Sequence, residues 1–229
     1  MRLLGALVAG GASRRFGSDK ALARIDGVSL IDHARGVLEA QVEEVVLCGR
    51  TSHEMRWIAD RPAPGLGPLG GLSAALADAS ARGFDAVVTV PIDIFPLPPD
   101  LVERLGTSGA SVFATQFLIG IWPTVLAPRL DLHLAAGHRS LRTWIGAVEV
   151  RAVEDAGLGL FNVNTRADLA DLVLLNSLSR SVSTNGSTSS RSSIPSLKAC
   201  NLQAGEQKLR PRPAPIPETV GSLSWPDSF

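Results

Sequence analysis

The chain has 229 residues, 45% of them hydrophobic, and its 22 basic and 22 acidic side chains leave a formal net charge of zero. That apolar share supports a packed core and excludes a wholly disordered chain, and the balanced charge provides no overall field for nucleic acid or an anionic membrane. Affinity for phosphate must therefore be local. Cys48 and Cys200 stand in compositionally different regions and make neither a disulfide framework nor a zinc spacing, which fits a reducing cytoplasm. The first apolar run is too short to span a membrane and lacks a cleavable signal pattern, so the expectation is a soluble, cytoplasmic monomer.

Short apolar runs predict strands over 3–8, 45–47, 86–90, 111–114 and 148–153, and amphipathic stretches predict helices over 30–40, 71–80, 99–105 and 165–175. Thr165 is placed to cap the last helix, with Asp168 at its third position. Alternating strands and helices imply βαβ units, hence an α/β fold of three α/β/α layers around a mostly parallel sheet, with ligands at the carboxyl ends of its strands. From 177 to 196 the chain has ten serines in twenty positions, and a Pro-rich stretch follows at 210–217. Such composition cannot bury enough surface to offset its ordering entropy. The domain is expected to span 1–175, with 176–229 a disordered Ser/Pro-rich tail.

Behind the first strand lies Leu7-Val8-Ala9-Gly10-Gly11-Ala12-Ser13-Arg14-Arg15-Phe16-Gly17-Ser18-Asp19-Lys20. A Walker A loop needs Gly-Lys-Ser/Thr, but Lys20 follows Asp19; a dinucleotide fingerprint needs Gly-x-Gly, but Gly10 is followed by Gly11 and Ala12. What remains is a loop in which two glycines let the backbone approach a phosphate chain while Arg14, Arg15 and Lys20 neutralise it. The competing reading is a strand-to-helix turn with solvated cations. The apolar strand 86–91 runs into Asp93, and an acid at that place is costly without a cation or donors, so Asp93 is the candidate Mg²⁺ ligand. A helix-capping or surface aspartate is its bland alternative. His33, His53 and His133 have no partner spacing.

The loop over 7–20 resembles the signature of the Rossmann-like nucleotidyltransferases, and most closely that of the molybdenum cofactor guanylyltransferase family. Gly67-Pro68-Leu69-Gly70-Gly71-Leu72 resembles that family's second signature, with Asp60 upstream in register. The resemblance covers roughly residues 3–175. It implies nucleotide contacts from Leu7, Ala9, Gly10, Gly11, Lys20, Asp60, Gly67 and Asp93, with Arg14, Arg15, Lys20 and Asp93 catalytic. Phe161-Asn162-Val163-Asn164-Thr165 and Gly137-His138-Arg139-Ser140-Leu141-Arg142 resemble the acceptor side, with Arg139, Arg142 and Asn164 as acceptor contacts. One departure is Ile94-Phe95-Pro96, where the family's proline lies one place earlier. Ile121-Trp122-Pro123-Thr124 stands near the family's proline turn.

The implied reaction moves GMP from GTP to the terminal phosphate of molybdopterin with Mg²⁺, releasing pyrophosphate. Gly10 favours guanine over the Ala found in related cytidylyltransferases. The alternatives are a cytidylyltransferase on the same pterin, a sugar-phosphate nucleotidyltransferase, and a non-catalytic GTP-binding adaptor whose tail recruits a molybdoenzyme or cofactor carrier.

Overall fold

The structure, a computed structural model, describes residues 1–9, 20–52 and 54–184, with side chains as far as Asn176. The expectations resting on Gly10, Gly11, Arg14, Arg15, His53, Cys200 and the chain beyond 184 lie outside the described residues. Strand β1 (Leu3–Val8) is buried along its whole length, as a continuous apolar run must be where helices cover both faces of a parallel sheet. After a 3-10 turn at Lys20–Leu22 comes a hairpin, β2 (Arg24–Ile25) and β3 (Val28–Ser29). Its Asp26-Gly27 turn takes φ of 52° and 81°, the doubly positive pair of a type I′ hairpin. Ser29 then caps α1 (Leu30–Glu39), its Oγ accepting from the Asp32 N–H at 3.2 Å, and α1 buries the i, i+4, i+8 stripe Leu30, Ala34 and Leu38.

The remaining elements are β4 (Glu44–Cys48), β5 (Trp57–Ile58), α2 (Pro68–Ala81), β6 (Ala86–Pro91), β7 (Ile94–Phe95), α3 (Leu101–Leu105), β8 (Ser111–Phe113), β9 (Gly120–Pro123), α4 (Ala127–Ala135), α5 (Leu141–Ala147), β10 (Arg151–Val153), β11 (Phe161–Asn162) and α6 (Arg166–Thr184). A seven-stranded sheet has the order β10-β8-β9-β6-β1-β4-β5, and only β9 runs against its neighbours. Side chains alternate across it. Leu3 and Leu7 of β1 pack with Ala34, Leu38, Leu101 and Leu105 on one face, whereas Leu4 and Ala6 pack with Leu72, Leu76, Leu130 and Trp144 on the other. The expected three-layer, mostly parallel α/β fold is the one observed.

Besides the elements β2, β3, β5, β7, α4 and β11, which the sequence reading does not resolve, three segments differ from it. Residues 120–123 are not a turn but β9, with Ile121 in one core and Trp122 in the other. A Cβ on Gly120 would lie 2.7 Å from the Ser111 carbonyl oxygen, so only glycine lets β9 approach β8 this closely. Thr89 Oγ1 accepts from Trp122 Nε1 at 2.9 Å and donates to the Leu118 carbonyl at 2.7 Å, which satisfies these buried polar atoms. Helix α2 begins at Pro68 rather than 71, because proline's fixed φ suits a first turn. Helix α6 does not stop at 175 but continues to Thr184, there being no proline or glycine in that stretch.

On the far edge, Glu44 joins β4 to α2: it accepts from Arg82 at 2.8 Å and from Arg56 at 2.6 Å, and Arg56 grips Asp78 through two bonds of 2.9 and 2.8 Å. The Arg82 hydrogen bond, helped by Arg56 and opposed by burial, holds the Glu44 carboxyl at about 2 instead of 4.5. A depressed carboxyl stabilises the fold above its unfolded value and stops doing so as pH falls through the folded one. The melting-temperature gap between wild type and Glu44→Gln should therefore be full at pH 6 and shrink steadily from about 4.5 to about 2. A gap independent of pH in thermal melts would contradict this.

Candidate active site

The site is built where the connections diverge. From β1 the chain passes to β4 on one side, and from β6 it passes to β8 and β9 on the other, so a crevice opens at the carboxyl ends of β1 and β6. Leu7 is fully buried between β4 and β6, and Ala9 extends the ladder by donating its N–H to the Cys48 carbonyl at 3.1 Å. Residues 10–19 follow Ala9 in the chain.

One wall is the amino end of α2. Gly67 precedes it with a φ of 65° and, among the described residues, no side chain caps it, so the positive end of the helix dipole faces the crevice. Cβ atoms on Gly70 and Gly71 would stand 3.1 Å from Asp60 Cβ and 3.2 Å from Cys48 Cβ, so the paired glycines let the helix press against the end of β4. Asp60 lies against this first turn. Burial pushes its carboxyl up, opposed by the hydrogen bond it accepts from the Gly65 N–H. Beneath it, burial aided by the nearby acids Asp60 and Asp78 pushes the Cys48 thiol up to about 12, which makes Cys48 a packing residue and not a nucleophile.

The other wall forms from three distant segments. Ala21, buried in the α1-side core, anchors the 3-10 turn that begins with Lys20. Past β6, β7 pairs antiparallel with β11, and the Asp93 carbonyl accepts from the Val163 N–H at 2.8 Å. This brings Asn164 beside Asp93. Lys20 Nζ then lies 2.7 Å from Asp93 Oδ2 and 3.2 Å from Asn164 Oδ1, with the Lys20 and Asp93 side chains 13% and 26% exposed. Two hard oxygens, one anionic, thus face a single cation, a donor set suited to Mg²⁺ when phosphate oxygens and water complete the shell. Among the described residues no three His, Cys, Asp or Glu side chains are grouped to hold an ion by themselves.

Behind the cluster, Asp168 Oδ2 accepts from the Asn164 and Thr165 N–H groups, both at 2.8 Å. Burial alone would raise this carboxyl; those bonds, the Thr165 hydroxyl and the Lys20 charge outweigh it and hold the carboxyl below the usual range. Sequence reasoning identified the cap and missed the second bond, which no spacing announces. The two arginines expected on the acceptor side have other surroundings in this structure. Arg142 lies 4.9 Å from the centroid of the Phe117 ring and Arg139 is exposed beside Ser140, and among the described residues no hydrogen bond or ion pair joins either to Lys20, Asp93 or Asn164.

Residues 5–153 match the family model of the MobA-like NTP transferase domain. The molybdenum cofactor guanylyltransferase of Rhodobacter capsulatus is 34% identical over 180 residues, covering 74% of this chain and 94% of that protein. The one from Acidiphilium cryptum is 34% identical over 176 residues, covering 71% and 90%. The molybdopterin-guanine dinucleotide biosynthesis protein A of Archaeoglobus fulgidus superposes with a TM-score of 0.63 at 22% identity, over 76% of this chain and 99% of that one, and so shares the fold. By that family match and those identities, the chain belongs to the MobA-like NTP transferase family, as a nucleotidyltransferase of the molybdenum cofactor guanylyltransferase group.

Proposed function

We propose that this chain transfers GMP from GTP to the terminal phosphate of molybdopterin. The observation that carries the reading is the convergence of Lys20, Asp93 and Asn164 at the carboxyl end of β6. In the reaction an acceptor phosphate oxygen attacks the α-phosphorus of GTP, the bond to the β-phosphate oxygen breaks, and pyrophosphate leaves. The nucleophile is already ionised, so catalysis rests on alignment and charge neutralisation, and no general base is required. Lys20 supplies a cation against the charge that grows on the leaving phosphates. Asp93, with the Asn164 amide oxygen beside it, would hold Mg²⁺, which when bound neutralises phosphate charge as a Lewis acid.

The loop glycines Gly10 and Gly11 and the arginines Arg14 and Arg15 are assigned to the triphosphate, with Leu7 and Ala9 supporting the loop's departure. Gly67 and the open start of α2 are assigned to the nucleoside. Arg139 and Arg142 are assigned to the pterin phosphate, with Arg142 held over Phe117 until the acceptor arrives.

Base choice falls to Asp60. A carboxylate only accepts, which suits the adjacent N1–H and N2–H donors of guanine and mismatches the N3 acceptor of cytosine. With Mg²⁺, GTP should raise the melting temperature and CTP should not. Because a bidentate base contact is worth about 1–3 kcal/mol, Asp60→Asn should weaken GTP binding roughly 10- to 100-fold and erase most of the preference. A larger shift with CTP than with GTP in the wild type would reverse the assignment.

A further inference from the structure

The connection between β11 and α6 carries more hydrogen bonding than a helix cap requires. Thr165 Oγ1 accepts from the Asp168 N–H at 3.1 Å while Asp168 Oδ2 accepts from the Thr165 N–H at 2.8 Å, the reciprocal pair that starts a helix. The same carboxylate oxygen also accepts from the Asn164 N–H at 2.8 Å, one residue before the cap, where α6 gains nothing from it. On the preceding peptide, the Val163 N–H is held by the Asp93 carbonyl at 2.8 Å. Asn164 is thus pinned by its own N–H and by that of its neighbour. Its side chain is on an exposed residue without core packing to restrict it, yet its Oδ1 lies 3.2 Å from Lys20 Nζ.

We propose that Asp168 is a positioning residue for nucleotidyl transfer: its carboxylate fixes the backbone of Asn164, so that the Asn164 amide oxygen holds the Lys20 ammonium beside Asp93. The inference rests on the function proposed above and extends it to a residue that has no assigned contact with nucleotide or acceptor. Asp168 makes its hydrogen bonds to Asn164 and Thr165 and, among the described residues, none to Lys20 or Asp93, so its effect on turnover runs chiefly through Asn164, and that distinguishes it from a plain cap. A cap affects stability, whereas a positioning residue changes turnover in protein that is fully folded, and its effect disappears when its target is removed.

The test is a double-mutant cycle in the full chain, with Asp168→Ala, Asn164→Ala and the double variant assayed well below their melting temperatures, and Asp168→Asn as the conservative variant. Asp168→Ala should lower kcat/KM for GTP roughly tenfold, within the usual range for coupled neighbours, and should add less than about twofold in the Asn164→Ala background. Asp168→Asn, which keeps an acceptor oxygen, should recover most of the loss. An Asp168→Ala protein that melts lower but keeps kcat/KM within twofold would overturn the proposal, as would losses that multiply in the double variant. If the wild type turns over no GTP, the proposed function fails instead, and the same cycle read as calorimetric Kd for Mg²⁺-GTP decides the positioning claim by the same criteria.

Discussion

Asp93→Asn is expected to lower kcat/KM for GTP by roughly 10²–10³-fold, the usual effect of removing one preorganised electrostatic group from a phosphoryl-transfer site. The substitution keeps the size of the side chain and removes only its charge. The β7–β11 pairing survives, because it uses the Asp93 carbonyl and not the carboxylate. The lost ion pair with Lys20 is partly exposed and worth about 1 kcal/mol, so the melting temperature should move by only about 2–4 °C. The Mg²⁺ concentration for half-maximal rate should rise as well, since the candidate donor set loses its anionic member. A variant with wild-type kcat/KM and an unchanged Mg²⁺ requirement would remove Asp93 from the chemistry.

Lys20→Ala is the second large effect, again roughly 10²–10³-fold in kcat/KM, because the ammonium is the described cation that meets both Asp93 and Asn164. Lys20→Arg should recover little of it. A planar guanidinium does not replace a compact ammonium in a site where the lysine side chain is 13% exposed between two oxygens. Combining Lys20→Ala with Asp93→Asn separates structure from chemistry. Lys20→Ala alone leaves a carboxylate without its partner and should lower the melting temperature; the double variant should regain most of that loss and none of the activity. Activity returning with stability would mean that the pair serves the fold alone.

Which parts of this site were legible follows from how each part is encoded. β1 and β6 are continuous apolar runs that suit a strand covered on both faces, so their ends, and Asp93 two residues past β6, could be read directly, whereas Lys20, twelve residues past β1, was read from the glycines and cations around it. The two-residue ladder of β7 and β11 could not be, since Ile94–Phe95 and Phe161–Asn162 are too short to show a period and their pairing is set by the fold around them. β9 was concealed in a different way. It has glycine at one end and proline at the other, the residues of a turn, and it is a strand because Gly120 admits β8 and Trp122 fills the opposite core. Asp60 was legible only through its register with Gly67–Leu72; what places it against the first turn of α2 is the close approach of Gly70 and Gly71, which no motif encodes. Arg139 and Arg142 were assigned from a motif, and their exposed or ring-stacked placement is a matter of tertiary packing that the motif does not carry.

In the proposed reaction this chain moves the α-phosphoryl group of GTP, with its nucleoside, onto a pterin phosphate. Incubation of the purified full chain with Mg²⁺, molybdopterin and GTP labelled at the α-phosphate tests it most directly, with label in the pterin and free pyrophosphate both quantified. One labelled pterin is expected per pyrophosphate released, and no pyrophosphate when molybdopterin is omitted. GTP that binds without releasing pyrophosphate, or label that enters the pterin faster from CTP than from GTP, would contradict it.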